Sequence, residues 1–139
     1  APRGLRSVPE MGRRLARRGH GPELIVSSTA VRALSTARAV AREIGYREEG
    51  IVESPDLYLA SPDTIMAVIR RAPASAHTLM VIGHNPGLTE LANMLGDVHI
   101  DNMPTAGMLC AEFDGQEWKS IEPARARCAW YDYPKKQPD

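Results

Sequence analysis

Leu79-Met80-Val81-Ile82-Gly83-His84-Asn85-Pro86-Gly87-Leu88 is the stretch on which the fold turns. An apolar run of strand type ends in Gly-His, and Asn-Pro then opens an amphipathic segment of helical period. The pattern sets one imidazole at the carboxyl end of a buried strand, beside a helix N-terminus. In open α/β sheets that crevice is where ligands bind, and helix N-termini favour anions. Taken alone, His84 reads more readily as a satisfied loop histidine. The surrounding segments argue for more.

Upstream of that stretch, helical and strand patterns alternate. A first helix is expected from about Arg3 to Arg18, with Leu5, Val8, Met11 or Gly12, and Leu15 on its apolar stripe and Gly19 as its stop. Pro9 should kink it or mark a later start. Glu23 to Ser28 reads as a short buried strand. Ser28 or Thr29 is the expected cap of a helix that stops at Gly45 and turns Val31, Leu34, Ala37, Ala41 and Ile44 inward. Ile51 to Ser54 is a weak strand. Ser61-Pro62-Asp63 reads as cap, first-turn proline and acidic first turn of a helix with Ile65, Met66, Ile69 and Ala72 inward, ending near Pro73.

His77 to Ile82 forms the strand that delivers His84. Asn85 caps and Pro86 starts the next helix, with Leu88, Leu91, Ala92 and Leu95 inward and Gly96 at its end. Beyond it, Ala106 to Phe113, a turn at Asp114-Gly115, and Trp118 to Ile121 are expected to form a β-hairpin, with a last strand at about Ala126 to Trp130. Alternation of this kind defines an α/β fold, a three-layer α/β/α sandwich on a mostly parallel central sheet. The 139 residues suit one domain.

Lysine plus arginine and aspartate plus glutamate both number 17, a balance that gives no support to general nucleic-acid or membrane-surface binding. Arg3, Arg6, Arg13, Arg14, Arg17 and Arg18 cluster early. They read as the solvated face of the first helix, or as a docking surface for an acidic partner. Cys110 and Cys128 have no metal-ligand spacing and sit in apolar strand contexts, as small core residues of a protein in a reducing compartment. With no membrane-length apolar run and no signal-peptide pattern, the expected location is cytoplasmic.

The second strand end with chemistry in it is Val26-Ser27-Ser28-Thr29-Ala30-Val31-Arg32. Arg32 on a first helical turn can fork two hydrogen bonds to a phosphate over the strand's carboxyl end. With parallel strands, Arg32 and His84 share one sheet edge and, with the helix N-termini, make an anion pocket. Arg32 alone also reads as a surface arginine.

Ser27-Ser28-Thr29-Ala30-Val31-Arg32-Ala33-Leu34-Ser35-Thr36-Ala37 resembles the "SSPxxRAxxTA" segment of the histidine phosphatase (phosphoglycerate mutase-like) superfamily. Val81 to Pro86 resembles its second-histidine segment. The compact length, the Ile82 to Leu88 form, the turn Pro104-Thr105-Ala106-Gly107 and the ending Trp130 to Lys135 are similar to the SixA-type phosphohistidine phosphatases. The resemblance implies phosphoryl transfer through a phosphohistidine intermediate, without metal or other cofactor, because paired arginines and histidines supply the positive field. Carried over, Arg32 is a phosphate clamp, and His84 is the second pocket histidine, donating to a phosphate oxygen. Phosphohistidine in a protein is the implied substrate, with small phosphoesters as the alternative.

The chain departs from that pattern in two places. The resemblance implies a nucleophilic histidine in an Arg-His-Gly or Arg-His-Ala motif on a first, central strand. None of the four histidines here follows an arginine. His20 precedes a strand, His77 begins one, and His99 follows the helix after His84. Ala1-Pro2-Arg3-Gly4 looks like the tail of the segment after the catalytic loop, so the natural start is expected a few tens of residues upstream and the first central strand to be missing. The 139 residues as written are expected to be inactive, or to be a phosphate-binding relative. Mutase-like members also carry a glutamate after the third strand. The nearest matching position is Tyr58, flanked by the acids Glu53 and Asp63.

Overall fold

The computed structural model describes residues 2–19 and 21–136. His20 lies outside them, as do the side chains of Arg3 and Leu5. Three parallel strands form one sheet in the order β2-β1-β3, from β1 (Leu24–Ser28), β2 (Val52–Ser54) and β3 (Leu79–Ile82). β4 (Met108–Glu112) and β5 (Arg127–Asp132) form a separate antiparallel pair with a register shift at Cys110/Ala111.

Alternate side chains of the parallel strands feed two cores, the period-2 consequence of the pleat. Val26, with Leu24, Leu79 and Val81, packs against Leu57, Ile65 and Val68 on one face. Ile25, with Met80, Ile82 and Ile51, packs against Ala37 and Ala41 on the other. The first face is covered by α3 (Pro62–Arg70) and α4 (Gly87–Ala92), the second by α2 (Val31–Ile44), against which α1 (Pro2–Arg18) lies. This is the α/β/α layering expected from the sequence, on a parallel sheet.

Several local expectations change. α1 runs unbroken through Pro9. The bond lost at that proline is offset by the burial of Met11 and Leu15 and by the close approach at Gly12, where a Cβ would lie 2.9 Å from Glu43 Cβ. On α2 the inward face is Ala33, Ala37, Val40 and Ala41; Val31 is exposed, because the helix begins there, past the sheet edge. α3 matches its expected start, with Ser61 Oγ accepting from Thr64 N–H at 3.2 Å and proline in the first turn. Ile65 and Met66 are buried as expected, and Val68 joins them.

α4 is shorter than expected and begins at Gly87, after a cis Asn85–Pro86 peptide. The hairpin from Ala106 to Ile121 does not form. Trp118–Ser120 is a 3-10 turn, and β4 pairs with β5 instead. Tertiary bonds draw this segment off the ladder: Trp118 Nε1–H donates to Ala76 C=O at 2.6 Å, Arg70 donates to Ile121 C=O, and Ile121 is fully buried. Cys110 and Cys128 are free and half-buried on adjacent strands. Burial pushes both thiols above their ordinary range.

The arginines of α1 are not a plain solvated face. Arg14 donates to Asp132 Oδ1 and to the carbonyls of Tyr133 and Pro134, each at 3.0 Å. Arg18 stacks over Trp130. These arginines hold β5 and the chain after it, while Arg13 and Arg17 pair with Glu10.

Candidate active site

The site lies at the carboxyl ends of β1 and β3. Their register pairs Ser27 with Ile82, which brings Ser28 level with the Gly83-His84 turn. Ser28 is fully buried, and its Oγ lies 2.8 Å from His84 Nε2. The same Oγ accepts Ala30 N–H at 3.3 Å, closing the turn that leads into α2. The cap of α2 is Ala30, not the expected Ser28 or Thr29, and Ser28 holds the turn and the imidazole instead.

His84 is fixed from its backbone too, since its C=O accepts Leu88 N–H at 3.0 Å. Asn85 Oδ1 accepts from Thr89 N–H and Oγ1–H, and Asn85 Nδ2 donates to Met103 C=O. Met103 N–H returns a bond to Thr89 Oγ1. This network ties the loop before β4 to the first turn of α4 and satisfies the buried Thr89 hydroxyl.

Arg32 lies on the first turn of α2, exposed, at the same sheet edge as His84. Among the described residues its side chain makes no ion pair or hydrogen bond, so the guanidinium fork is free for a ligand. The cap residue of α2, Ala30, gives no side-chain hydrogen bond, and its first turn carries no acid. That leaves orphan N–H groups and the positive end of the helix dipole open to an anion. α4 differs, because Asn85 Oδ1 takes the Thr89 amide, His84 C=O takes the Leu88 amide, and Glu90 sits in its first turn.

Tyr58 is the residue whose part the sequence did not show. Its ring meets the His84 ring edge to face, with centroids 5.5 Å apart and planes at 77°. Glu53 and Asp63, its flanking acids in sequence, are exposed. His77 and His99 are exposed as well, His99 beside Asp101.

The Ser28–His84 pair has the spacing of a nucleophile and its base. Burial argues against that chemistry, because an attacking oxygen must reach its substrate and Ser28 Oγ is enclosed. The arrangement suits anion recognition: one imidazole, one free guanidinium and one open helix N-terminus at a single sheet edge.

No family model matches the chain. It is 27% identical over 145 residues to an uncharacterized protein of Mycobacterium tuberculosis, covering 97% of this chain and 88% of that protein. A Mycobacterium leprae protein, also uncharacterized, is 25% identical over 146 residues, covering 97% and 86%. Among solved structures, a proposed phosphohistidine phosphatase SixA from Agrobacterium tumefaciens superimposes with a TM-score of 0.72 at 26% identity, covering 92% of this chain and 78% of that one. Another, from Nakamurella multipartitia, gives 0.76 at 24%, covering 98% and 84%. The protein histidine phosphatase SixA complexed with tungstate gives 0.74 at 18%, covering 92% and 79%.

The fold is that of the histidine phosphatase superfamily. Within it, the likeness is to the SixA-type phosphohistidine phosphatases. Among the described residues no helix is long and apolar enough to cross a membrane.

Proposed function

We propose that this protein is a SixA-type phosphohistidine phosphatase acting on phosphorylated proteins, with residues 1–139 forming one histidine-phosphatase-like domain. The observation that carries the reading is the joint placement of Arg32 and His84 at the carboxyl edge of one parallel sheet, next to the uncapped N-terminus of α2. Arg32 clamps two phosphoryl oxygens through its fork. His84, held by Ser28, donates to a third and offsets the negative charge of the bound phosphoryl group. The fold itself accommodates a tetrahedral oxyanion in a relative, the SixA that holds tungstate.

A second reading is favoured by one observation: the hydroxyl paired with His84 is fully buried, so the groups that the described site turns outward recognise an anion rather than attack it. In that reading the same two residues bind a phosphorylated partner without turnover. One experiment separates them. Inorganic phosphate binding and phosphate release from a phosphohistidine-bearing protein are measured on the natural protein and on its Arg32→Ala and His84→Ala variants. Release that is lost in both variants supports the enzyme. Binding lost in both variants without release from the parent supports the binding module. Parent-like binding in both variants removes Arg32 and His84 from the site.

A further inference from the structure

We propose that Tyr58 is the positioning residue of this site, the group that fixes the plane of the His84 imidazole. The role of His84 toward phosphate rests on the function proposed above; the way its ring is held does not. A single hydrogen bond between Nε2 and Ser28 Oγ fixes one atom of the ring but leaves it free to swing about that bond. The edge-to-face contact with Tyr58, at 5.5 Å and 77°, opposes the swing. The two contacts together set the direction of Nδ1.

The loop that carries Tyr58 is anchored on both sides. Leu57, one residue before it, is fully buried in the core shared by β1 and α3. Ala60, two residues after it, sets its carbonyl oxygen so close to Gly87 that a Cβ there would lie 2.1 Å away. Gly87 is the first residue of α4, three residues past His84, so this contact ties the Tyr58 loop to the helix that His84 leads into. Leu59 between the anchors takes a left-handed φ of 48°, a conformation a leucine keeps only where its neighbours impose it. Tyr58 itself is 59% exposed. Its ring thus stands at the mouth of the site on a rigid support, and its removal opens no core cavity.

The test compares the parent with Tyr58→Ala, Tyr58→Leu and Tyr58→Phe by NMR of the His84 ring and by titration with inorganic phosphate. In Tyr58→Ala and Tyr58→Leu the Cδ2–H and Cε1–H resonances of His84 are expected to shift. The affinity for inorganic phosphate is expected to fall about two- to tenfold, the worth of one aromatic pair. Tyr58→Phe, which keeps the ring, rescues both readouts. Unmoved His84 resonances in Tyr58→Ala overturn the inference, as does unchanged phosphate affinity in a parent that binds phosphate. A parent that binds no phosphate, with resonances that shift as expected, sinks the proposed function but supports the positioning role.

Discussion

Ser28 Oγ lies 2.8 Å from His84 Nε2, a contact across 56 residues of sequence between the ends of two neighbouring parallel strands. A hydroxyl both donates and accepts, so the pair forms with either tautomer of the imidazole. With Nε2 unprotonated, Ser28 donates; with Nε2–H, the ring donates back. The serine holds the ring in place in both, which suits a group that meets phosphate through its other nitrogen.

Replacing Ser28 with alanine removes that bond and the acceptor for Ala30 N–H. The expected cost is about 1–3 kcal/mol, measured by urea denaturation. Inorganic phosphate affinity should fall by more than in Ser28→Thr, which keeps the hydroxyl. A serine-directed fluorophosphonate is expected to leave the folded protein unlabelled; labelling at Ser28 would restore the nucleophile reading.

Gly87→Ala is expected to be among the costliest single changes near the site. The new Cβ would meet Ala60 O at 2.1 Å and Ile65 Cδ1 at 3.3 Å, and backbone cannot yield as a side-chain tip does. Overpacking of this kind costs about 1–3 kcal/mol. The Tyr58 loop must also move away from α4, so the variant should weaken phosphate binding even where it remains folded. Calorimetry and phosphate titration on the same sample check both.

The parallel sheet was readable because β1 and β3 are apolar on both faces and each ends in a helix start, so Leu24–Ser28 and Leu79–Ile82 announce themselves locally. That Arg32 and His84 share one sheet edge followed from the parallel order of their strands. The parts of Ser28 and Tyr58 did not, since each acts on His84 across the fold and neither carries a local signal of it. The register of β1 on β3 is the one clue that would have paired Ser28 with His84. The expected hairpin failed at Trp118 because the alternation of residues 118–121 serves burial against the end of α3, not a ladder. Val31 was misassigned because helical period does not say where along its length a helix leaves the core.

Glu23 predicts an acid-dependent term in stability. Its Oε1 accepts the backbone N–H of His77 at 2.6 Å and of Thr78 at 3.2 Å, tying the entry of β3 to the start of β1. The His77 amide bond, first of all, holds this carboxyl below its ordinary value of 4.5. A depressed folded value means the stabilisation is fully present above the ordinary value and is lost as pH falls through the folded one. Glu23→Gln should therefore be less stable than the parent at neutral pH. The gap should close at pH values below 4.5. Denaturation midpoints of the two proteins across that range give the comparison; a gap constant with pH would mean the carboxylate charge contributes nothing.

The Arg14–Asp132 pair is expected to hold the end of β5 in place. Asp132 is buried, with Arg14 at 3.0 Å, Arg18 at 3.8 Å and its own Oδ1 accepting Tyr133 N–H at 2.8 Å. Breaking a buried pair from one side leaves a charge without its partner and costs about 3–5 kcal/mol. Arg14 keeps partial solvent access and two carbonyl acceptors, so Asp132→Asn should fall at or below the low end of that range, at about 2–3 kcal/mol. Arg14→Ala should cost more, because Asp132, the Tyr133 and Pro134 carbonyls and Glu10, four acceptors, then lose a donor at once. Arg14→Lys should recover little, since an ammonium cannot reproduce the fork that spans Asp132, Tyr133 and Pro134. A double-mutant cycle on Arg14 and Asp132 in urea measures the coupling. A value near zero would mean that the carbonyl bonds of Arg14, not its ion pair, fasten the strand.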